Sequence, residues 1–95
     1  MRWQSFEDKI CCAIFIKNHV LSSMSIELSI KEAIKKGVDK AEGSIKMKFS
    51  NIAAICDDLG IKVSTKMGRL TNYSKQNYLE FQDVLRVLNL DVGRL

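Results

Sequence analysis

Three cysteines, one histidine and a surplus of lysines are the side chains of this sequence with chemistry to offer. Cys11 and Cys12 are adjacent and Cys56 stands far from both, so no CxxC pair and no Cys/His spacing of a zinc site is present. Neighbouring residues of a helix point about 100 degrees apart, which keeps Cys11 and Cys12 from sharing one partner. All three read as small apolar side chains of a reducing compartment. His19 has no carboxylate or cysteine close by in sequence, and reads as a surface or helix-end residue rather than a catalytic base. Paired carboxylates, a nucleophile with its base and a phosphate-cradling glycine loop cannot be assembled from these letters. The sequence therefore predicts no enzyme, no metal site and no cofactor.

The lysines are left, and they are unevenly placed. The chain has 95 residues and a net charge of +4. Residues 31–75 hold ten basic side chains against five acidic ones, while the flanks together are close to neutral. One side of the fold is thus expected to carry a positive field that attracts phosphates or an acidic protein. Nine of those ten are lysines, which act as point charges on a phosphate backbone more than as bidentate readers of bases. The expected binding set is Lys46, Lys48, Lys62, Lys66 and Arg69 for phosphates, with Asn51 as the polar side chain nearest to a specificity role.

These residues have to be positioned by helices. Ile45, Phe49, Ile52, Cys56 and Leu59 step by four, three, four and three, one face of a helix over residues 44–60. Ser44 suits its N-cap and Gly60 its left-handed end. Lys46 and Lys48 then fall in the opening turn, where they would reinforce the positive helix end. Lys46 and Asn51 should project outward, with Lys48 at the edge of the apolar face.

A first helix is expected from about Ser5 to Leu21, carrying Phe6, Ile10, Ala13, Ile14, Val20 and Leu21, with Phe15 and Ile16 widening its apolar side. Ser5 is its predicted cap, and Trp3 folds back on it as a staple. A second helix follows the Ser22–Ser25 turn and ends at Gly37, and a fourth runs from about Ser74 to Leu90 on Tyr78, Phe81, Leu85 and Leu88. Between the third and fourth, IKVSTKMGRLTN alternates apolar and polar residues over too short a span for an independent strand. It reads as an extended, mobile basic loop with Lys62, Lys66 and Arg69 outward, and the terminal VGRL reads as frayed. The fold class predicted is all-α: one domain over residues 1–95, a compact bundle of about four helices.

The letters EGSI at 42–45, Lys48, the pair Asn51 and Ile52, the pair Leu59 and Gly60, and Tyr73, Asn77 and Tyr78 further on resemble a small helical module. It stands at the N-terminus of HNH-type restriction endonucleases and related bacterial DNA-processing proteins. The likeness spans roughly residues 42 to 85. It departs from the family at the loop, where a glycine and proline often stand near the first tyrosine, and no nuclease domain follows. The resemblance implies a targeting or interaction part without catalytic residues of its own.

Two functions are expected from this. The leading one is a non-catalytic module that binds DNA or a DNA-associated protein through the lysine-rich surface. The alternative is a stand-alone protein-interaction factor, such as a phage-type inhibitor of a bacterial defence nuclease, which suits a chain that opens with Met and carries no nuclease. Homo-oligomerisation is compatible with either. No apolar run reaches the roughly 18 residues of a membrane span, and acidic residues precede any long apolar region, so neither a membrane partner nor a secretory signal is expected. The expected setting is cytoplasmic.

Overall fold

The computed structural model describes residues 2–95 and contains four helices and a terminal 3-10 turn. Helix α1 spans Ser5–His19, α2 Ile26–Lys35, α3 Glu42–Asp58 and α4 Lys75–Val87, and no strand occurs among the described residues. Helix α1 packs against all three of the others, and most extensively against α4. The molecule measures 34 × 25 × 23 Å. The all-α bundle expected from the periodicity is the fold.

Three helices end in the same way. At α2 the N–H of Val38 reaches the carbonyl of Ala33 and Gly37 that of Ile34. At α3 Ile61 reaches Cys56 and Gly60 reaches Asp57, and at α4 Leu90 reaches Leu85 and Asn89 reaches Arg86. This double closure needs a left-handed residue, and Gly37, Gly60 and Asn89 have φ of +110, +75 and +56. The apolar residue that follows each one, Val38, Ile61 or Leu90, folds back onto the core. Each helix end is thereby fixed to the interior by a side chain just beyond it.

The helix starts are more varied. Ser25 and Ser74 cap α2 and α4 by accepting from the N–H of Leu28 and Asn77 at 3.4 and 3.0 Å. The cap of helix α1 lies one residue before the expected one: Gln4, not Ser5, is the N-cap, and its N–H donates to Glu7 Oε1 at 2.9 Å. Helix α3 starts at Glu42 behind Ala41, which offers no capping side chain. Ser44 therefore lies inside the first turn, and Lys46 falls in the second turn rather than at the positive helix end. Glu42 takes the dipole-favoured place instead.

The core is built from Cys11, Cys12, Phe15 and Ile16 of α1, Ile45, Phe49, Ile52 and Cys56 of α3, and Phe81 and Leu85 of α4, closed by Ile30 and Ala33 of α2. Phe15 and Phe49 lie 6.2 Å apart, with the His19 ring against both. The apolar face of α3 is as predicted. That of α1 is rotated: Phe6 and Leu21 are exposed, and the cysteines take the inward positions. The C-terminus is also ordered, as Val92–Arg94 form the 3-10 turn and Val92 and Leu95 pack on the core.

Candidate functional site

Residues 59–74 run from α3 to α4 without regular structure, yet they are stitched down at both ends. Ser64 N–H donates to His19 O at 2.7 Å, and its hydroxyl donates to the carbonyls of His19 and Ser22. Thr65 Oγ1 donates to Met24 O at 3.1 Å. Farther along, Leu70 N–H donates to Ser50 O at 3.2 Å, and Asn51 Nδ2 donates back to Leu70 O at 2.8 Å. The expected mobile loop is a strap fastened to the end of α1 and to the middle of α3. Ile61 is buried, and Val63 and Met67 pack on the core, while Lys62, Lys66 and Arg69 face out as predicted.

The strap brings together some of the expected binding residues and separates others. Lys46 and Lys66, both exposed, line one depression of about 250 Å³ with Ser50 and Gly68. Lys62 lies in another, with Arg94 and Ser64. Arg69 Nε is paired with Asp57 at 2.7 Å, and its Nη1 donates to Met67 O. Its charge is thus largely answered within the chain.

Lys48 departs most from expectation. It is buried, with Nζ 2.8 Å from Asp8 Oδ1, and its ammonium stands 4.6 Å from the centre of the Trp3 ring. Lys40 repeats the arrangement, pairing with buried Glu7 at 2.8 Å and lying 5.3 Å from the same ring. Burial opposes charge on Glu7, but the Lys40 ammonium and the N–H groups of Gln4 and Asp39 outweigh it and hold the carboxyl below its usual range. Two ion pairs thus fasten the first turn of α1 to α3 and its approach, with Trp3 across them. Lys48 is a structural cation, and the phosphate role expected of it does not fit this geometry.

Beside this ion pair lies a depression of about 460 Å³. Its α3 side is Ser44, Met47, Lys48 and Asn51. Arg2 and Trp3 contribute from the N-terminal segment, and Asn72, Ser74 and Gln76 from the end of the strap and the start of α4. Gln76 Nε2 donates to Trp3 O and to Asp8 Oδ2 at 3.0 and 2.6 Å. Asn51 Nδ2 also reaches Asn72 Oδ1 at 3.3 Å. No carboxylate is among the lining residues, and Arg2 makes no ion pair among the described residues. Sequence reasoning singled out Asn51 but missed Arg2, Asn72 and Gln76. They have no common spacing and meet only through the packing of α1, α3 and α4.

The remaining reactive groups are enclosed. Cys11, Cys12 and Cys56 are free and fully buried, and burial pushes the Cys11 and Cys56 thiols up to about 12 and that of Cys12 well above its ordinary value. No cluster of metal-ligating side chains occurs among the described residues. His19 is a helix-end residue as expected, but it is buried, not on the surface. Its Nδ1 donates to Thr65 Oγ1 at 2.6 Å and its Nε2 accepts from Ser29 Oγ at 2.7 Å, a tautomer assigned because the Thr65 proton goes to Met24 O. Of the later letters of the motif, Asn77 is buried against Cys12, and Tyr78 stacks on Tyr73 at 6.1 Å. No helix of the described residues is long and apolar enough to cross a membrane. Comparison with protein-family models, with curated proteins and with solved structures finds no match to this chain.

Proposed function

We propose that this chain is a non-catalytic nucleic-acid-binding module whose contact surface is the outer side of α3 and the strap laid against it. The observation that carries the reading is the convergence of Lys46 and Lys66, unpaired and exposed, in one depression beside a second that holds Arg2 and no carboxylate. Seven of the fifteen basic side chains make no ion pair among the described residues, against four of the eleven acidic ones, so the excess positive charge is available to a partner. The likeness of residues 42–85 to a module of HNH-type restriction endonucleases agrees with this role, and a cytoplasmic setting suits it.

The salt dependence of binding tests it. With Lys48 and Arg69 engaged within the chain, Lys46, Lys62 and Lys66 remain from the predicted set. Three phosphate contacts correspond to a log-log slope of about −2 on a single strand and about −3 on a duplex. Fluorescence anisotropy of a labelled oligonucleotide at rising salt should show a slope in that range, and Lys46→Glu with Lys66→Glu should abolish binding. An isotherm unchanged by salt or by the double variant removes the proposal.

A second reading, a protein-interaction factor such as a phage-type inhibitor of a defence nuclease, is favoured by one observation. Ile10, Ala13, Val87 and Leu88 form an apolar groove between α1 and α4, with Val87 71% and Leu88 46% exposed. Under that reading a host protein stays bound after nuclease treatment, and substitutions in this groove release it.

A further inference from the structure

We infer that the depression at Trp3 is a pocket for one unpaired nucleotide, so that the strand recognised is single-stranded nucleic acid. The inference rests on the nucleic-acid reading above and gives it a ligand class and a second contact point.

The lining is cationic and amide-rich. Arg2 brings a charge with no carboxylate partner among the described residues, while Lys48 is held in place by Asp8. Asn51 uses its Nδ2 on Leu70 O and Asn72 Oδ1, which leaves Asn51 Oδ1 as an acceptor and Asn72 Nδ2 as a donor on two residues of the lining. A donor and an acceptor in one lining match what the edge of a nucleobase offers. Met47, 59% exposed, supplies apolar area for the flat face of a base, and the Trp3 indole is part of the same lining. The Lys40 and Lys48 ammonium groups lie over the indole ring, 5.3 and 4.6 Å from its centre, and hold it in one orientation.

The neighbouring depression supplies the strand. Lys46 and Ser50 line it, and they precede Met47 and Asn51 of the Trp3 pocket by one residue each, so the two depressions share α3. The hydrogen bonds of Leu70 to Ser50 and Asn51 form the seam between them. A chain with one nucleotide in the Trp3 pocket can lay adjacent phosphates toward Lys46 and Lys66. A volume of about 460 Å³ suits one nucleotide and not a base pair within a duplex. Bases in a duplex are stacked and paired, whereas those of a single strand can be turned into a pocket.

Trp3 is the only tryptophan, so its emission reports on the pocket directly. The experiment titrates the full chain with a 12-nucleotide single strand, in DNA and RNA forms, and with the corresponding duplex. A saturable change in Trp3 emission with the single strand, and binding of the duplex at least about tenfold weaker, are expected. Arg2→Ala and Asn72→Ala should each weaken single-strand binding by roughly tenfold, with circular dichroism unchanged. Lys35→Ala, on α2 and outside both depressions, should leave it unaltered. Single-strand binding that depends on Lys46 and Lys66 but leaves Trp3 emission unchanged, or is indifferent to Arg2→Ala and Asn72→Ala, overturns the pocket and keeps the module reading. Preference for the duplex also overturns the pocket. Failure to bind any of these nucleic acids removes both.

Discussion

Lys48 and Asp8 meet at 2.8 Å with 7% and 0% of their side chains exposed, so each charge is answered by the other in the interior. In the sequence they are forty positions apart, and a local pattern shows only a lysine on the edge of an apolar face and an acid at a helix start. Taking the ammonium away leaves a carboxylate in the interior, which costs about 3–5 kcal/mol. Lys48→Ala should lower stability by that amount in urea denaturation, and Asp8→Asn added to Lys48→Met should recover most of it, because Gln76 Nε2 still has an oxygen to bond. His19 makes stability depend on pH. Burial lowers its pKa from the ordinary 6.5, so the fold holds it neutral. Its contribution is complete above pH 6.5 and is lost as pH falls below that toward the lowered value. Glu32, held down to about 2 by Lys17, Lys36 and Asn18, contributes above pH 4.5 and is lost between there and 2. Denaturation midpoints should therefore fall in two steps on acidification, and His19→Gln should remove the upper one.

Among the helices, what the sequence made legible follows how local each signal is. The three closures at Gly37, Gly60 and Asn89 are short-range, and the two glycines marked the ends of α2 and α3 correctly. The period of α3 was readable because Ile45, Phe49, Ile52 and Cys56 are its larger inward side chains while Lys46, Met47, Asp57 and Asp58 are exposed, although Ala53, Ala54 and Ile55 are buried as well. Helix α1 is contacted by three others, so apolar residues surround it and the periodicity could not tell Phe6 from Phe15. The start of α3 was missed because Ala41 caps without a side-chain hydrogen bond. Glycine substitutions separate these signals. Gly60→Ala has free space around the new carbon but must hold φ at +75, and should cost about 1 kcal/mol. Gly43→Ala, in the first turn of α3 with ordinary φ and nothing nearby, should stabilise by about 0.4–1 kcal/mol. Thermal melts of the two variants should move in opposite directions.

For the molecule as a whole, the fold was legible and the site largely was not. Four helices follow from patterns within twenty residues, whereas the depression at Trp3 joins residues 2–3, 44–51 and 72–76, which no window of sequence contains. The lysine count pointed to α3 and the strap, but only the ion pairs show which charges are unpaired among the described residues. The same enclosure covers all three thiols. In native buffer Cys11, Cys12 and Cys56 should be silent to a thiol-reactive dye, and in urea they should react together along the unfolding curve. An early, separate reaction of one of them would show that part of the bundle opens independently. A practical freedom comes with this. A fourth cysteine engineered at an outward position would be the single reactive handle on the native protein, so spin labels, crosslinkers or fluorophores can be attached at will without replacing any of the original three.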